Sequence, residues 1–167
     1  PLGKLGNIEA VEREIRKVFE ASPDVLGIPL DHLVLGRSGY VESSDSWLVH
    51  LDQVIPGTDI QVWRGGVKIR ISKGNLVSFG VETHSGLGEL NSRPSVDQKT
   101  AQLTAMASGP AGNSQHTEVS SSLRVLPLER AGVMETPLVW EVRSKTDHPK
   151  GHWVSFVDAH SGALLNV

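Results

Sequence analysis

Residues 53–78, QVIPGTDIQVWRGGVKIRISKGNLVS, contain the pattern that decides the fold. Turn-forming residues at 56–59 and at 73–75 interrupt segments in which apolar and polar side chains alternate. Alternation with a period of two is typical of strands that bury one face. The stretch therefore predicts antiparallel strands joined by short turns.

The predicted strands extend to both sides of this stretch. Alternation at 46–55 predicts one strand before it. Segments 60–63 and 67–72 predict two further strands, which a glycine pair at 65–66 separates. A hairpin then leads into a strand at 76–81. The first half of the chain is thus predicted to contain a meander of four strands.

A helix is predicted at 7–21, ahead of the meander. Asn7 is a suitable N-cap, and Ser22-Pro23 ends the segment. The apolar residues that recur at helical spacing are Ile8, Val11, Ile15, Val18 and Phe19.

The same order of elements recurs after a break at 83–94, which is rich in glycine, asparagine and proline. Ser95 with Gln98 predicts a capping box that opens a second helix. Strands are predicted at 121–127, 138–144 and 152–158, with a short one at 163–166. The apolar face of the second helix is predicted to contain Val96, Thr100, Leu103 and Ala107.

Composition excludes several classes of function. The 167 residues have a net charge of -3, with 16 basic and 19 acidic residues well mixed, and this argues against nucleic acid as a partner. No apolar run approaches the roughly 20 residues of a membrane-spanning helix. The absence of cysteine excludes disulfides and thiolate metal sites.

No catalytic, cofactor-binding or metal-binding residues are predicted. The chain has no H-E-x-x-H string for zinc. His148 and His152 are close in sequence, but Pro149 and Gly151 between them favour a turn over a helical ligand pair. Ser85 lacks the flanking glycines of a nucleophile elbow. A metal-dependent hydrolase using the two histidines is kept as a minor alternative.

Two stretches resemble a known family. Residues 53–78 resemble the fungalysin/thermolysin propeptide (FTP) motif, a strand with a glutamine, a turn, a strand with a glycine kink, and a hairpin. Residues 137–165, with PLVWEVRSK leading to HWVSFVDAHSGALL, resemble a PepSY unit. The order Phe156-Val157-Asp158-Ala159, followed by Gly162, is the more specific match.

The resemblance and the recurring pattern together predict an α+β fold of two helix-plus-antiparallel-sheet (cystatin-like) subdomains in tandem. Residues 1–88 are predicted to be the FTP-like subdomain, with residues 1–6 a tag or linker. Residues 89–167 are predicted to be the PepSY-like subdomain.

The resemblance implies the pro-region of a secreted or periplasmic zinc metalloprotease. Such a chain is expected to be an intramolecular chaperone and inhibitor of its cognate catalytic domain, without enzymatic activity or cofactor of its own. The alternative is a stand-alone exported binding module that regulates proteases in trans.

The resemblance also implies where the protease is contacted. The C-terminal residues Leu164, Leu165, Asn166 and Val167 are expected to lie at the end that faces the catalytic domain. An apolar tail of this kind suits strand addition in a substrate cleft. The open alternative is that Leu164 and Leu165 form an ordinary last strand.

Overall fold

The computed structural model describes residues 6–108, 115–148 and 150–165. The chain divides into two compact units, one up to Gly88 and the other from Glu89 onward. The assignment of these units as FTP-like and PepSY-like stays a prediction. No helix in the described ranges is both long and apolar enough to cross a membrane.

Helix α1, Ile8–Glu20, opens the first unit as predicted. The side chain of Asn7 accepts a hydrogen bond of 2.9 Å from the backbone N–H of Ala10, which confirms the predicted N-cap. Val11, Ile15 and Phe19 are buried, whereas Val18 is exposed. The helix thus buries a narrower stripe than the sequence indicates.

The first unit contains five strands. Strand β3 is paired on one side with β1 and β2, and on the other with β4, whose far side pairs with β5; all these pairs are antiparallel. The bounds are β1 Leu33–Leu35, β2 Gly39–Val41, β3 Ser46–Val54, β4 Gln61–Ser72 and β5 Asn75–Glu82.

Strand β4 corrects one prediction. The segments predicted as two strands form a single strand that runs through Gly65 and Gly66. Gly66 has φ +135°, and the pairing of β4 with β3 is irregular between Asp52 and Val54. The glycine pair therefore bends a continuous strand, as at a β-bulge, and does not end it.

The core of the first unit lies between α1 and the sheet. The buried helix residues pack with the inward side chains of β3 and β4, and this apolar burial is the main favourable term in folding. The members contributed by the strands and by the preceding loop are Leu26, Ile28, Leu33, Val49, Leu51, Val67, Ile69 and Ile71.

Helix α2, Gln98–Ser108, opens the second unit and corrects two predictions. The Asp97 side chain caps it, accepting 3.0 Å from the N–H of Thr100, so Ser95 does not form the capping box. The buried residues are Ala101 and Ala105, and Leu103 is 55% exposed.

The described part of the second unit contains six strands. Strand β9 lies between β6 and β10, and β11 extends the sheet beyond β10. β7 and β8 form a separate hairpin. The bounds are β6 His116–Val125, β7 Leu128–Arg130, β8 Val133–Glu135, β9 Leu138–Asp147, β10 Lys150–Asp158 and β11 Leu164–Leu165.

The predicted fold class is wrong. Strands contain 47% of the described residues and helical segments 24%, with α1 and α2 the two α-helices of the described ranges. The chain is therefore mostly sheet, and not an α+β tandem of two cystatin-like subdomains. The prediction failed because it relied on the order and number of helices and strands and not on their lengths. The longest strands, with nine or more residues each, are β3, β4, β6, β9 and β10.

Candidate functional site

The residues predicted to contact a protease begin with strand β11. Leu165 is in register with Phe156 of β10, and Leu164 with Val157. Both leucines are half-buried, and Leu164 packs against the core around α2. They thus form a short last strand at a sheet edge. Asn166 and Val167 lie outside the described residues, and contact of any of the four with a protease stays a prediction.

The turn between β10 and β11 positions this edge. One carboxylate oxygen of Asp158, Oδ1, accepts three hydrogen bonds: 3.0 Å from the N–H of His160, 2.7 Å from the N–H of Ser161 and 2.9 Å from the Ser161 hydroxyl. Gly162 follows with φ +75°, which glycine adopts without steric cost. The chain then returns antiparallel as β11.

These hydrogen bonds set the protonation of Asp158. Partial burial disfavours the carboxylate, but the backbone N–H and hydroxyl of Ser161 and the backbone N–H of His160 outweigh it, so the pKa of Asp158 is lowered. A lowered folded pKa stabilises the fold above the unfolded pKa, and this contribution is lost as the pH falls through the folded pKa.

We expect Asp158→Ala to lower the free energy of unfolding by about 1 to 2 kcal/mol at pH 7, because three hydrogen bonds to an ionised group are lost. The difference from wild type should shrink as the pH falls below about 4. Urea unfolding at pH 7, 5 and 3 measures it. Asp59→Ala, at an exposed turn position, is the control. Equal loss from both variants would refute this role.

The structure brings together one pair that the sequence did not predict. The Ser95 hydroxyl lies 3.4 Å from Nδ1 of His160, although the residues are 65 positions apart. Both are exposed, and the Asp158 carboxylate bonds the backbone of His160 and not its ring. A serine nucleophile requires a base that a third group orients. The pair does not meet that requirement in the described part of the chain.

The two histidines of the minor metal alternative lie at the start of the β9–β10 hairpin. His148 follows β9 in the turn, and His152 lies on β10 in register with Lys145. A search of the described ranges finds no group of three or more His, Asp or Glu side chains that could hold a metal ion. The helical spacing of a zinc pair is absent here, since both residues belong to the hairpin.

A buried carboxylate on β9 is paired with two arginines. Glu141 is 1% exposed on β9. Its Oε2 accepts 3.1 Å from Nε of Arg124, and Oε1 accepts from Nε of Arg143. A buried charge is tolerated when it is paired and hydrogen-bonded. Alternation alone places Glu141 on a strand face, but it does not reveal the burial.

A cleft of 220 Å³ lies on strands β6, β9 and β10. Its wall combines Arg143 and Lys145 of β9 with His152 of β10. Glu118 carries the compensating charge, 3.3 Å from the Lys145 ammonium. Arg143 and Lys145 are already paired with Glu141 and Glu118, and the rest of the lining includes apolar side chains, so the cleft indicates no single ligand class.

Comparison with known proteins leaves the family open. No family model matches the chain, and no curated protein matches it. These comparisons therefore do not test the residue-level resemblance of residues 53–78 and 137–165.

Proposed function

We propose that this chain is an exported pro-region of a zinc metalloprotease of the thermolysin or fungalysin type. It assists the folding of the catalytic domain and then inhibits it. The proposal is supported by the order of the two resemblances, the FTP-like residues 53–78 followed by the PepSY-like residues 137–165. Fold alone does not imply function, and strand β11 supplies the surface by which the chain would bind the protease.

One structural observation carries the proposal. Strand β11 is apolar, lies at the edge of its sheet and pairs with β10 alone among the described strands. An edge strand presents unpaired N–H and C=O groups, to which another polypeptide can add. Proteases of this type favour bulky apolar side chains, and Leu165 offers one that is half-buried.

The physical basis of the chaperone role is kinetic. Secreted proteases are often held by a high unfolding barrier, and the same barrier slows folding. A prefolded surface that binds the folding transition state of the protease lowers this folding barrier. An interface of roughly 1,600 Å² gives a stable complex. A covalent tether adds an effective concentration in about the millimolar range, which proteolytic cleavage removes.

Inhibition of the native enzyme tests the proposal. The proposal requires a zinc metalloprotease domain encoded with this chain, and a gene without one contradicts it; purified chain is titrated against the peptidase activity of that domain. We expect inhibition that Leu165→Asp weakens, since a charge on β11 opposes burial against the enzyme. Val133→Asp on strand β8, which is 62% exposed, is the matched control.

Circular dichroism confirms that both variants are folded. The proposal is contradicted if the wild-type chain leaves the activity unchanged, or if both variants inhibit equally. A chain that inhibits several unrelated metalloproteases, but not the one encoded with it, would favour the stand-alone module acting in trans.

A further inference from the structure

A second sheet edge, in the first unit, is exposed along its whole length. We define the β5 edge as the outer side of strand β5, Asn75–Glu82. Among the described strands β5 pairs with β4 alone. Seven of its residues are exposed and Val81 is half-buried. The outward N–H and C=O groups of this strand therefore have no strand partner in the described ranges.

The β5 edge lacks the blocking residues that commonly protect an edge, although its pairing with β4 is irregular at Val77, between Arg70 and Ile71. Its sequence, NLVSFGVE, contains no proline, lysine or arginine, the residues that commonly block an edge. Val77 is 56% exposed and Phe79 is 46% exposed. The Phe79 ring stands edge-on to the ring of Phe19 from α1, with centroids 5.9 Å apart. The helix side of the edge is thus apolar.

The opposite side of the same edge carries two cations along Ser78 and Gly80, with the Glu82 carboxylate at its end. Lys68 and Arg70 of β4 are exposed and alternate with buried neighbours, so they lie on the face away from α1. Their partners in register on β5 are Gly80 and Ser78. Open space surrounds Gly80 where a side chain would stand. These small residues leave room for the two cationic side chains to extend across β5.

Within the described ranges, neither cation has an ion-pair partner. The ion pairs of the described ranges do not include Lys68 or Arg70. A strand added to β5 would lie about 10 Å from β4, two strand spacings away. A lysine or arginine and a glutamate together span that distance, so the added strand meets positive charge on one face and apolar surface on the other.

We propose that the β5 edge binds an extended polypeptide segment as an added strand. Apolar side chains of the segment cover Val77 and Phe79, and acidic side chains at alternate positions pair with Lys68 and Arg70. This alternation of apolar and acidic residues defines the partner. That this partner is a segment of the protease rests on the proposed function. That the β5 edge binds a peptide of this pattern does not rest on it.

The probes are two synthetic peptides, one that alternates valine with glutamate and one that alternates valine with lysine. Binding is measured by fluorescence anisotropy, and the site by amide hydrogen exchange. We expect the Val-Glu peptide to bind and to protect amides of β5. The double variant Lys68→Glu/Arg70→Glu should bind it about tenfold more weakly and should prefer the Val-Lys peptide.

The control is the double variant Arg93→Glu/Lys99→Glu, which makes the same change of net charge at exposed positions of the second unit. It should keep the affinity and preference of wild type. The proposal is overturned if the Val-Glu peptide fails to bind, if both double variants respond alike, or if protection appears outside β5. Peptide binding without protease inhibition would reject the proposed function and leave this proposal standing.

Discussion

Gly66→Ala is expected to lower the free energy of unfolding by about 3 to 5 kcal/mol, or to prevent folding. An added Cβ would lie 2.1 Å from the backbone oxygen of Leu51 and 3.1 Å from Cα of Asp52. Both neighbours are backbone atoms of β3, so no side-chain rotation relieves the contact. The φ of +135° adds strain that only glycine avoids.

Gly80→Ala on the adjacent strand is the matched control. The position has open space and no positive φ, so the same chemical change should shift the free energy of unfolding by less than about 1 kcal/mol. Thermal and urea unfolding followed by circular dichroism compare the two. Equal stability of Gly66→Ala and wild type would show that β4 does not bend at this glycine.

Gln53→Ala is expected to cost about 3 kcal/mol or more of the free energy of unfolding. The Gln53 side chain is fully buried on β3. Its amide nitrogen donates 2.6 Å to the carbonyl oxygen of His84, and its amide oxygen accepts 2.9 Å from the N–H of His84. The side chain thus acts as a substitute strand partner, and its loss leaves two backbone groups and a cavity.

His84→Ala separates this role from packing. It keeps the backbone groups that Gln53 binds and removes an imidazole whose buried Nε2 has no hydrogen-bond partner among the residues that the structure describes. We expect a change within about 1 kcal/mol. Urea unfolding of both variants measures the difference. A larger loss from His84→Ala than from Gln53→Ala would contradict the assignment.

Periodicity predicted the parts of the fold where large apolar side chains decide the packing. In α1 the spacing of Val11, Ile15 and Phe19 gave the buried face, and Asn7 gave the first turn. The hairpin at Lys73-Gly74 was confirmed as well, since both residues have positive φ, as a two-residue hairpin turn requires. Residues close together in sequence were sufficient to predict the structure of these two segments.

Helix α2 shows why the same procedure failed elsewhere. Its only large apolar residues are Leu103 and Met106, so the sequence pattern gave a weak signal for the buried face. Small Ala101 and Ala105 face the core. The indole N–H of Trp140 donates 2.8 Å to the carbonyl oxygen of Val96, which helps fix the start of this segment. Tertiary contacts, and not periodicity, set the rotation of α2.

The candidate site was predictable only in part. The closing turn could be predicted from Asp158, Ser161 and Gly162, whose turn chemistry is local. The burial of Glu141 could not, because it depends on Arg124 from another strand, 17 positions away. The exposure of the β5 edge is likewise a property of strand order, which alternation within one strand does not encode.

The central claim is that this chain exists as a surface for a zinc metalloprotease catalytic domain. Refolding of that domain is the most direct measurement. The proposed zinc metalloprotease domain, which must be encoded with the chain, is denatured in guanidinium and diluted into zinc-containing buffer, with and without an equimolar amount of the chain. Recovered peptidase activity is assayed after the chain has been digested. We expect much higher recovery with the chain present; equal recovery in the two arms would contradict the proposed chaperone role.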